Sequence, residues 1–228
     1  MTGRAWTMIR TPVGPLSVAC TSAGLASVRF GPPGKAGPGQ AGPVQAVPVQ
    51  AVPVQAGPAQ AGSGQPAEAA PGQDTAGQDA GGQDAAGQAA SSPAAGLAAT
   101  AGQQLAEYFS GQRRVFDLPL DWSVLSDLQR QVLGSLFETV GFGQTVTYGE
   151  LARRSGIGER AGQLPARTIG QVMGSNPYPV IVPCHRVVAA DGLGGYSGGT
   201  GIEIKRWLLI FEGAEPPTLD WAPDGPLP

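Results

Sequence analysis

The sequence predicts a mixed α+β fold, a small sheet at the amino-terminal end followed by helices. Three observations carry this. Runs with β character, bounded by turn residues, fill residues 4–29; apolar residues recur at helical spacing from about residue 96 onward; and the stretch between shows neither pattern. Of the 228 residues, 36 are Gly and 22 are Pro, so the folding part is smaller than the length suggests.

The runs "AWTMIRTPVG" and "PLSVACTSAGLASVRF", with Gly14-Pro15 and residues 22–24 as turns, read as an antiparallel hairpin or meander. Residues 31–95 repeat near-copies of "VQAVPVQAGPAQAG" and then "AGQDAGGQDAAGQ". These short units carry no large apolar residue to stack, which argues against a solenoid and for a disordered low-complexity insert. Lengthening a connection from about twenty to about seventy residues costs only ~1 kcal/mol in loop closure, so the flanking fold tolerates it. Helical signals resume at "LAATAGQQLAEYFSGQ", where Leu105, Tyr108 and Phe109 form an apolar stripe ended by Gly111. "RRVFDLPLDW" reads as a further strand. From Asp127 a helix places Leu128, Val132, Leu133 and Leu136 on one face, and residues 141–143 break it. A short helix from Thr147 and Tyr148 through Leu151, a Gly-rich loop over 156–162 and a second helix opened by Pro165 in "PARTIGQVMGSN" match a helix-turn-helix arrangement. The last helix puts Ile204, Trp207, Leu208 and Phe211 on one face and stops at Gly213. The organisation expected is a sheet domain over 1–30 and 96–122, the insert over 31–95, a helical domain over 123–213 and a Pro-rich tail over 214–228.

The formal charge of −3 is unevenly spread: residues 153–186 hold five Arg and one Glu. A local excess of that sign suits phosphate contact. Cys20 and Cys184 make no disulfide framework, which favours reduced thiols and a cytoplasmic setting. The first residues offer only a short, Pro-interrupted apolar run, and no later run approaches a membrane span, so a soluble protein without a membrane partner is expected.

The chemistry centres on "NPYPVIVPCHRVVAADGLGGYSGG", where Cys184 sits beside His185, the chain's single histidine. A free thiol is only a few per cent thiolate at neutral pH, a deficit of ~2 kcal/mol that a nearby base or dipole must offset. Adjacent side chains on a non-helical backbone diverge, so a bridging water between thiol and imidazole fits better than direct contact. On the dipeptide alone, Cys184 is more readily read as a small buried hydrophobe than as a nucleophile.

The wider run "VIVPCHRVV", with "GLGGYSGG" and "KRWLLIFEG" after it, resembles the active-site signature of the O6-methylguanine-DNA methyltransferase family. "TPVGPLSVACTSAGLASVRF", "GQTVTYGELA" and "ARTIGQVMGSNPYPVIVPCHRV" resemble that family's amino-terminal sheet, pre-recognition helix, and recognition helix with active-site strand. The resemblance implies a small ribonuclease-H-like sheet domain followed by a helical, winged-helix-like DNA-binding domain. It also implies a monomeric single-turnover enzyme, a methylated-DNA–protein-cysteine S-methyltransferase, acting without a cofactor on double-stranded DNA containing O6-alkylguanine. Cys184 would accept the alkyl group, His185 would act as general base through water, and Glu212 would orient the imidazole. Tyr148 would donate at guanine N3 and Ser197 near O6. Backbone carbonyls of Cys184 and Val187 would take the exocyclic amine, while Tyr196 and Pro179 line the pocket. Asn176 and Arg186 would brace the cysteine turn, Arg186 also counting among the DNA-binding residues. Because O6 is unreachable inside a duplex, the nucleotide must be flipped out; Arg167 would fill the gap, with the small neighbours Ala166, Thr168 and Gly170 letting the helix approach the minor groove.

Without the resemblance, Glu212 reads as a solvated helix-end carboxylate, Tyr148 as an aromatic packed on Leu151, Tyr196 as a loop aromatic and Arg167 as a phosphate-facing charge. The loop over 156–163 is longer than usual for the family, and the segment between Arg186 and Tyr196 is a residue shorter than in some relatives. One Cys and no His near the amino terminus are too few ligands for the structural zinc some members hold, so no metal is expected. Two rivals remain: a cysteine hydrolase, which usually places its nucleophile at a helix start, and a lesion-binding module without transfer, which lacks the acceptor thiol.

Overall fold

The computed structural model describes residues 4–32, 40–47, 92–158 and 164–217. Strands β1 (Arg4–Thr11), β2 (Gly14–Thr21) and β3 (Gly24–Phe30) form an antiparallel meander. The side chains of Ala5, Thr7 and Ile9 alternate inward along β1, as a period of two requires when one face is covered. The cover is helix α1 (Pro93–Phe109), which packs across β1 and β2 through Ala94, Ala98, Ala101 and Leu105. Ser92 caps it by accepting the Ala95 N–H, and Pro93 occupies the first turn, where its missing N–H costs nothing.

Two expectations need correction. Within 31–95, expected to lack structure, Gln40–Val47 form strand β4, parallel to β1, so the sheet runs β3-β2-β1-β4. Among the described residues β4 lies at the sheet edge, where Pro43 can sit because an edge strand needs N–H donors on one side only. The helix, moreover, already begins at Pro93; the rest of the insert, 33–39 and 48–91, lies outside the described residues, as does the tail beyond 217. The second correction concerns "RRVFDLPLDW", which is no strand but an irregular segment tied to the sheet at one isolated bridge, Leu25 to Leu120. Pro119, which has no N–H to give, lends its carbonyl to the Leu25 N–H at 2.7 Å, and Asp121 N–H returns a bond to the Leu25 carbonyl at 2.8 Å. Gly24 makes this docking possible: at φ +145° any Cβ would lie 2.4 Å from the Pro119 carbonyl oxygen.

A short 3₁₀ turn (Trp122–Val124) leads into the second half. Helix α2 (Asp127–Thr139) opens with a capping box between Ser126 and Gln129. Two-residue strand β5 (Val146–Thr147) runs straight into helix α3 (Tyr148–Arg154), whose first turn is capped by the Thr147 hydroxyl; Glu150 pairs with Arg153 and Arg154. Helix α4 (Pro165–Gly174) packs on α3 and α2 through Ile169, Val172 and Met173. Strand β6 (Val187–Val188) pairs in parallel with β5, and helix α5 (Ile202–Phe211) closes the described chain. One apolar cluster joins the halves, from Ile9 and Leu16 through Leu105 and Tyr108 to Leu133, Leu136, Ile169 and Leu208. Among the described residues no helix is long and apolar enough to cross a membrane.

Candidate active site

The run "YPVIVP", expected as an active-site strand, is a series of turns. Val182 N–H reaches back to the Tyr178 carbonyl at 2.8 Å and Cys184 N–H to the Val182 carbonyl at 2.8 Å. Between them Val180, fully buried, is held at φ +73°. A β-branched residue resists that conformation at a cost of order 1–3 kcal/mol, which the surrounding packing must offset. Asn176 ties the turn off: its Nδ2 donates to the Val182 carbonyl at 2.9 Å and its Oδ1 accepts the Tyr178 N–H at 2.9 Å. Tyr178 then donates from its hydroxyl to the Asp121 carbonyl at 2.7 Å, fastening the turn to the segment bridged to β3.

Cys184 is the first residue of a 3₁₀ turn (Cys184–Arg186), not the residue after a strand. Position relative to secondary structure therefore gives no argument against the hydrolase. Because β6 continues directly from that turn and pairs with β5, Val187 opposite Val146, the short ladder fixes Cys184 relative to Tyr148. Two cavities meet at the thiol. One, about 290 Å³, is lined by Tyr148, Gly170, Met173, Gly195, Tyr196 and Ser197. The other, about 320 Å³, extends toward β3 and is lined by Val28, Phe30, Asn176, Pro179, Tyr196 and Gly198. Gly194, at φ +69°, lets the loop press on the Tyr148 ring, where a Cβ would lie 2.9 Å from Cε2. Tyr148 donates to the Gly195 carbonyl at 3.3 Å. Burial, with the Cys184 charge adding to it, raises the Tyr148 phenol above its ordinary value, so it stays a proton-bearing donor.

Behind the cysteine lies a buried charge cluster. Glu212 Oε1 faces His185 Nε2 at 2.9 Å, and the Arg186 guanidinium grips the same carboxylate twice, Nε to Oε2 at 2.8 Å and Nη2 to Oε1 at 2.9 Å. Tyr108 donates to Oε1 at 2.6 Å and Gly143 N–H to Oε2 at 3.3 Å. Burial pushes the Glu212 carboxyl up, but His185 and Arg186 together outweigh it and hold the group well below the usual carboxylate range. An ionised carboxylate fixes the proton on His185 Nε2, which leaves Nδ1, buried and without a partner among the described residues, as the acceptor. Desolvation lowers the imidazole below its ordinary value, and the Arg186 and Lys205 charges act in the same direction against the pull of Glu212. The resting imidazole is a neutral base. Burial likewise raises the Cys184 thiol, opposed by Asn176, Tyr196 and the charge of Lys205. It rests as a thiol that needs a base.

The expected residues therefore divide. Cys184, His185 and Glu212 are brought together; Tyr148, Tyr196 and Ser197 line the cavity on the helix side, whereas Pro179 and Asn176 line only the one toward β3. One expectation fails. Arg186, counted among the DNA-binding residues, is buried, its guanidinium spent on Glu212 and on the Val140 carbonyl at 2.8 Å. The Val187 carbonyl, expected to take the guanine amine, accepts Lys205 Nζ at 2.6 Å, which leaves its second lone pair for another donor. Arg167 and Ala166 are exposed on α4, with Thr168 and Gly170 half-buried beside them, and Arg167 enters no ion pair among the described residues.

Sequence reasoning missed Lys205 and the polar role of Tyr108. Lys205 is fully buried on α5, reaches the Gly195 carbonyl at 3.1 Å as well, and is lowered to about 8 by burial against the pull of the Cys184 charge. The signal was partial: Lys205 shares the buried side of α5 with Ile204, Leu208 and Leu209, whereas the adjacent Arg206 is exposed. Among the described residues no three His, Cys, Asp or Glu side chains converge as a metal site would require.

Comparison with known proteins agrees with this architecture. Residues 127–214 match the family described as "6-O-methylguanine DNA methyltransferase, DNA binding domain". A methylated-DNA–protein-cysteine methyltransferase of Mycobacterium tuberculosis is 41% identical over 123 residues, 54% of this chain and 69% of that protein. The mouse protein of the same name is 49% identical over 85 residues, 37% of each chain, so the match spans little more than a third of that relative. A DNA base-flipping protein of Thermus thermophilus is 40% identical over 120 residues, 52% of this chain and 75% of that one. The crystal structure of Mycobacterium tuberculosis OGT in complex with DNA superposes with a TM-score of 0.57 at 28% identity, over 91% of this chain and 92% of that one. With both the sheet and the helical half matched, this chain belongs to the O6-methylguanine-DNA methyltransferase family.

Proposed function

We propose that this protein repairs duplex DNA by moving an alkyl group from O6 of guanine to Sγ of its own Cys184, once per molecule. The observation that carries the reading is the placement of Cys184 at the junction of two cavities with the buried His185–Glu212 pair behind it. The flipped guanine enters on the side of Tyr148, Tyr196 and Ser197. The thiol gives its proton through a water to His185 Nδ1, and Glu212 stabilises the resulting imidazolium. Thiolate sulfur attacks the alkyl carbon; the S–C bond forms as the C–O6 bond breaks and its electron pair goes to the purine. Tyr148 hydrogen-bonds the base as charge builds, and guanine ends with the proton the thiol lost. A thioether has no route back to a thiol, so the reaction stops at one equivalent.

The exposed Arg167, beside Ala166, Thr168 and Gly170, supports minor-groove approach by α4 with the arginine filling the gap left by the flipped base. Two unpaired, buried thiols support work in a reducing compartment, the cytoplasm, and the site is complete within one chain, in keeping with a monomer. The DNA base-flipping relative supports a second reading, binding and flipping without transfer. Mass spectrometry separates them. Incubation with duplex DNA bearing O6-methylguanine is expected to add one methyl mass to the Cys184 peptide and nothing beyond one equivalent; binding with Cys184 unmodified and the lesion intact leaves the second reading.

A further inference from the structure

Glu212 Oε1 is unusually crowded. It faces three donors at once: His185 Nε2 at 2.9 Å, Arg186 Nη2 at 2.9 Å and the Tyr108 hydroxyl at 2.6 Å. The first two flank or belong to the cysteine turn, whereas Tyr108 comes from α1, the helix that covers the amino-terminal sheet. Its bond to Glu212 is the shortest at the carboxylate and spans 104 positions of sequence.

Packing alone accounts for the ring but not for the hydroxyl. The Tyr108 ring is fully buried among Phe109, Phe116, Phe142 and Phe211, with centroids 5.1 to 6.1 Å away, and a phenylalanine would keep all of those contacts. The hydroxyl acts on charge. A carboxylate oxygen shared among three donors has less electron density for each, so the phenol competes with the imidazole for Oε1. The other charges facing the pair are Arg186, which is bound to Glu212, and Lys205, which carries its charge below about pH 8; both cations oppose protonation of His185.

We propose that Tyr108 is a positioning residue of the relay: its hydroxyl holds Glu212 and weakens that carboxylate's grip on the His185 proton, keeping the imidazole neutral, and hence a base, at physiological pH. The amino-terminal domain thereby tunes a site whose reacting groups all belong to the other half of the chain. For the transfer rate, this rests on the alkyl-transfer reading above.

The test uses the full chain and the fact that His185 is its single histidine, so one imidazole signal reports the site. Removing the hydroxyl in Tyr108→Phe is expected to raise the His185 titration midpoint by roughly half a pH unit, read by ¹⁵N NMR. The acid limb of the single-turnover transfer rate should move up equally, so the rate falls about threefold where His185 titrates and is unchanged on the alkaline plateau. Replacing Tyr108 by 3-fluorotyrosine, a stronger donor of nearly the same shape, should move both in the opposite direction. Loosened packing lowers amplitude or stability in both variants and gives no opposed pair of shifts. A His185 midpoint and acid limb that stay in place in both variants overturn the proposal while leaving transfer intact. Failure of the wild-type protein to transfer overturns the functional reading instead, and the NMR titration still decides on Tyr108.

Discussion

Two cysteines, both buried and both unpaired, occupy different worlds in this molecule. Cys20, on β2, sits in the sheet core; burial alone acts on it and pushes its thiol up to about 12. Cys184 is also raised by burial, yet Asn176, Tyr196 and Lys205 all pull it back, and a neutral imidazole with an open nitrogen lies next in the chain. Burial silences a thiol by withholding solvation from the thiolate. At Cys184 the surrounding polar groups supply part of what water would have supplied, and Cys184 lines two cavities. On the alkyl-transfer reading proposed above, reactivity in this fold is a property of the neighbours, not of exposure.

The sharpest way to break the comparison is to exchange the two thiols for hydroxyls. Cys184→Ser is expected to lower methyl transfer by a factor on the order of 10³ or more, because an alcohol is a far weaker nucleophile than a thiolate at neutral pH. Cys20→Ser should leave the single-turnover rate within about twofold while lowering stability by roughly 1–3 kcal/mol, the cost of a buried hydroxyl without a partner. Transfer rates and denaturant midpoints measured on both variants read the two effects separately; a rate loss in Cys20→Ser would end the distinction.

Lys205 sharpens it next. Replacing it in Lys205→Met removes the positive charge that favours the Cys184 thiolate and leaves the Val187 and Gly195 carbonyls without their donor. The transfer rate at pH 7 should fall about tenfold, as the apparent thiol pKa rises by roughly one unit, and recover as pH rises. A pH–rate profile that falls evenly at every pH would assign Lys205 to scaffolding alone.

How far these neighbours were legible in the sequence follows from the range of each interaction. Cys184 and His185 are adjacent, and the turn and glycine pattern around them is local, so the dipeptide marks the site. Glu212 was assigned only through family resemblance, since nothing in "FEG" distinguishes a relay carboxylate from a helix-end one. Lys205 and Tyr108 lie inside apolar helical stripes, and hydrophobic spacing says that such positions are buried without saying what a buried polar atom must meet. Arg186 was misplaced for the same reason: a surface arginine and the partner of a buried carboxylate 26 residues away look identical in one dimension. In the fold, alternation exposed β1 to β3, whereas β4 was hidden by its Pro- and Gly-rich repeat, and "RRVFDLPLDW" mimicked a strand because apolar side chains docked by two bonds carry the same pattern as a ladder.

The smallest effect isolates burial itself. In the folded chain Cys20 holds its proton up to about pH 12, whereas in the unfolded chain it loses it near its ordinary value of 9.0. Between those values the native state binds more protons than the unfolded one, so this group's contribution to stability is complete below about pH 9 and declines as pH rises toward 12. Cys20→Ala removes that contribution. The stability difference between wild type and variant, measured by denaturant unfolding from neutral pH to pH 10, should therefore shrink as pH rises past 9. A difference independent of pH would mean that the Cys20 thiolate is solvated in the folded chain, and burial would no longer explain why Cys20 is silent on a reading that makes Cys184 the acceptor.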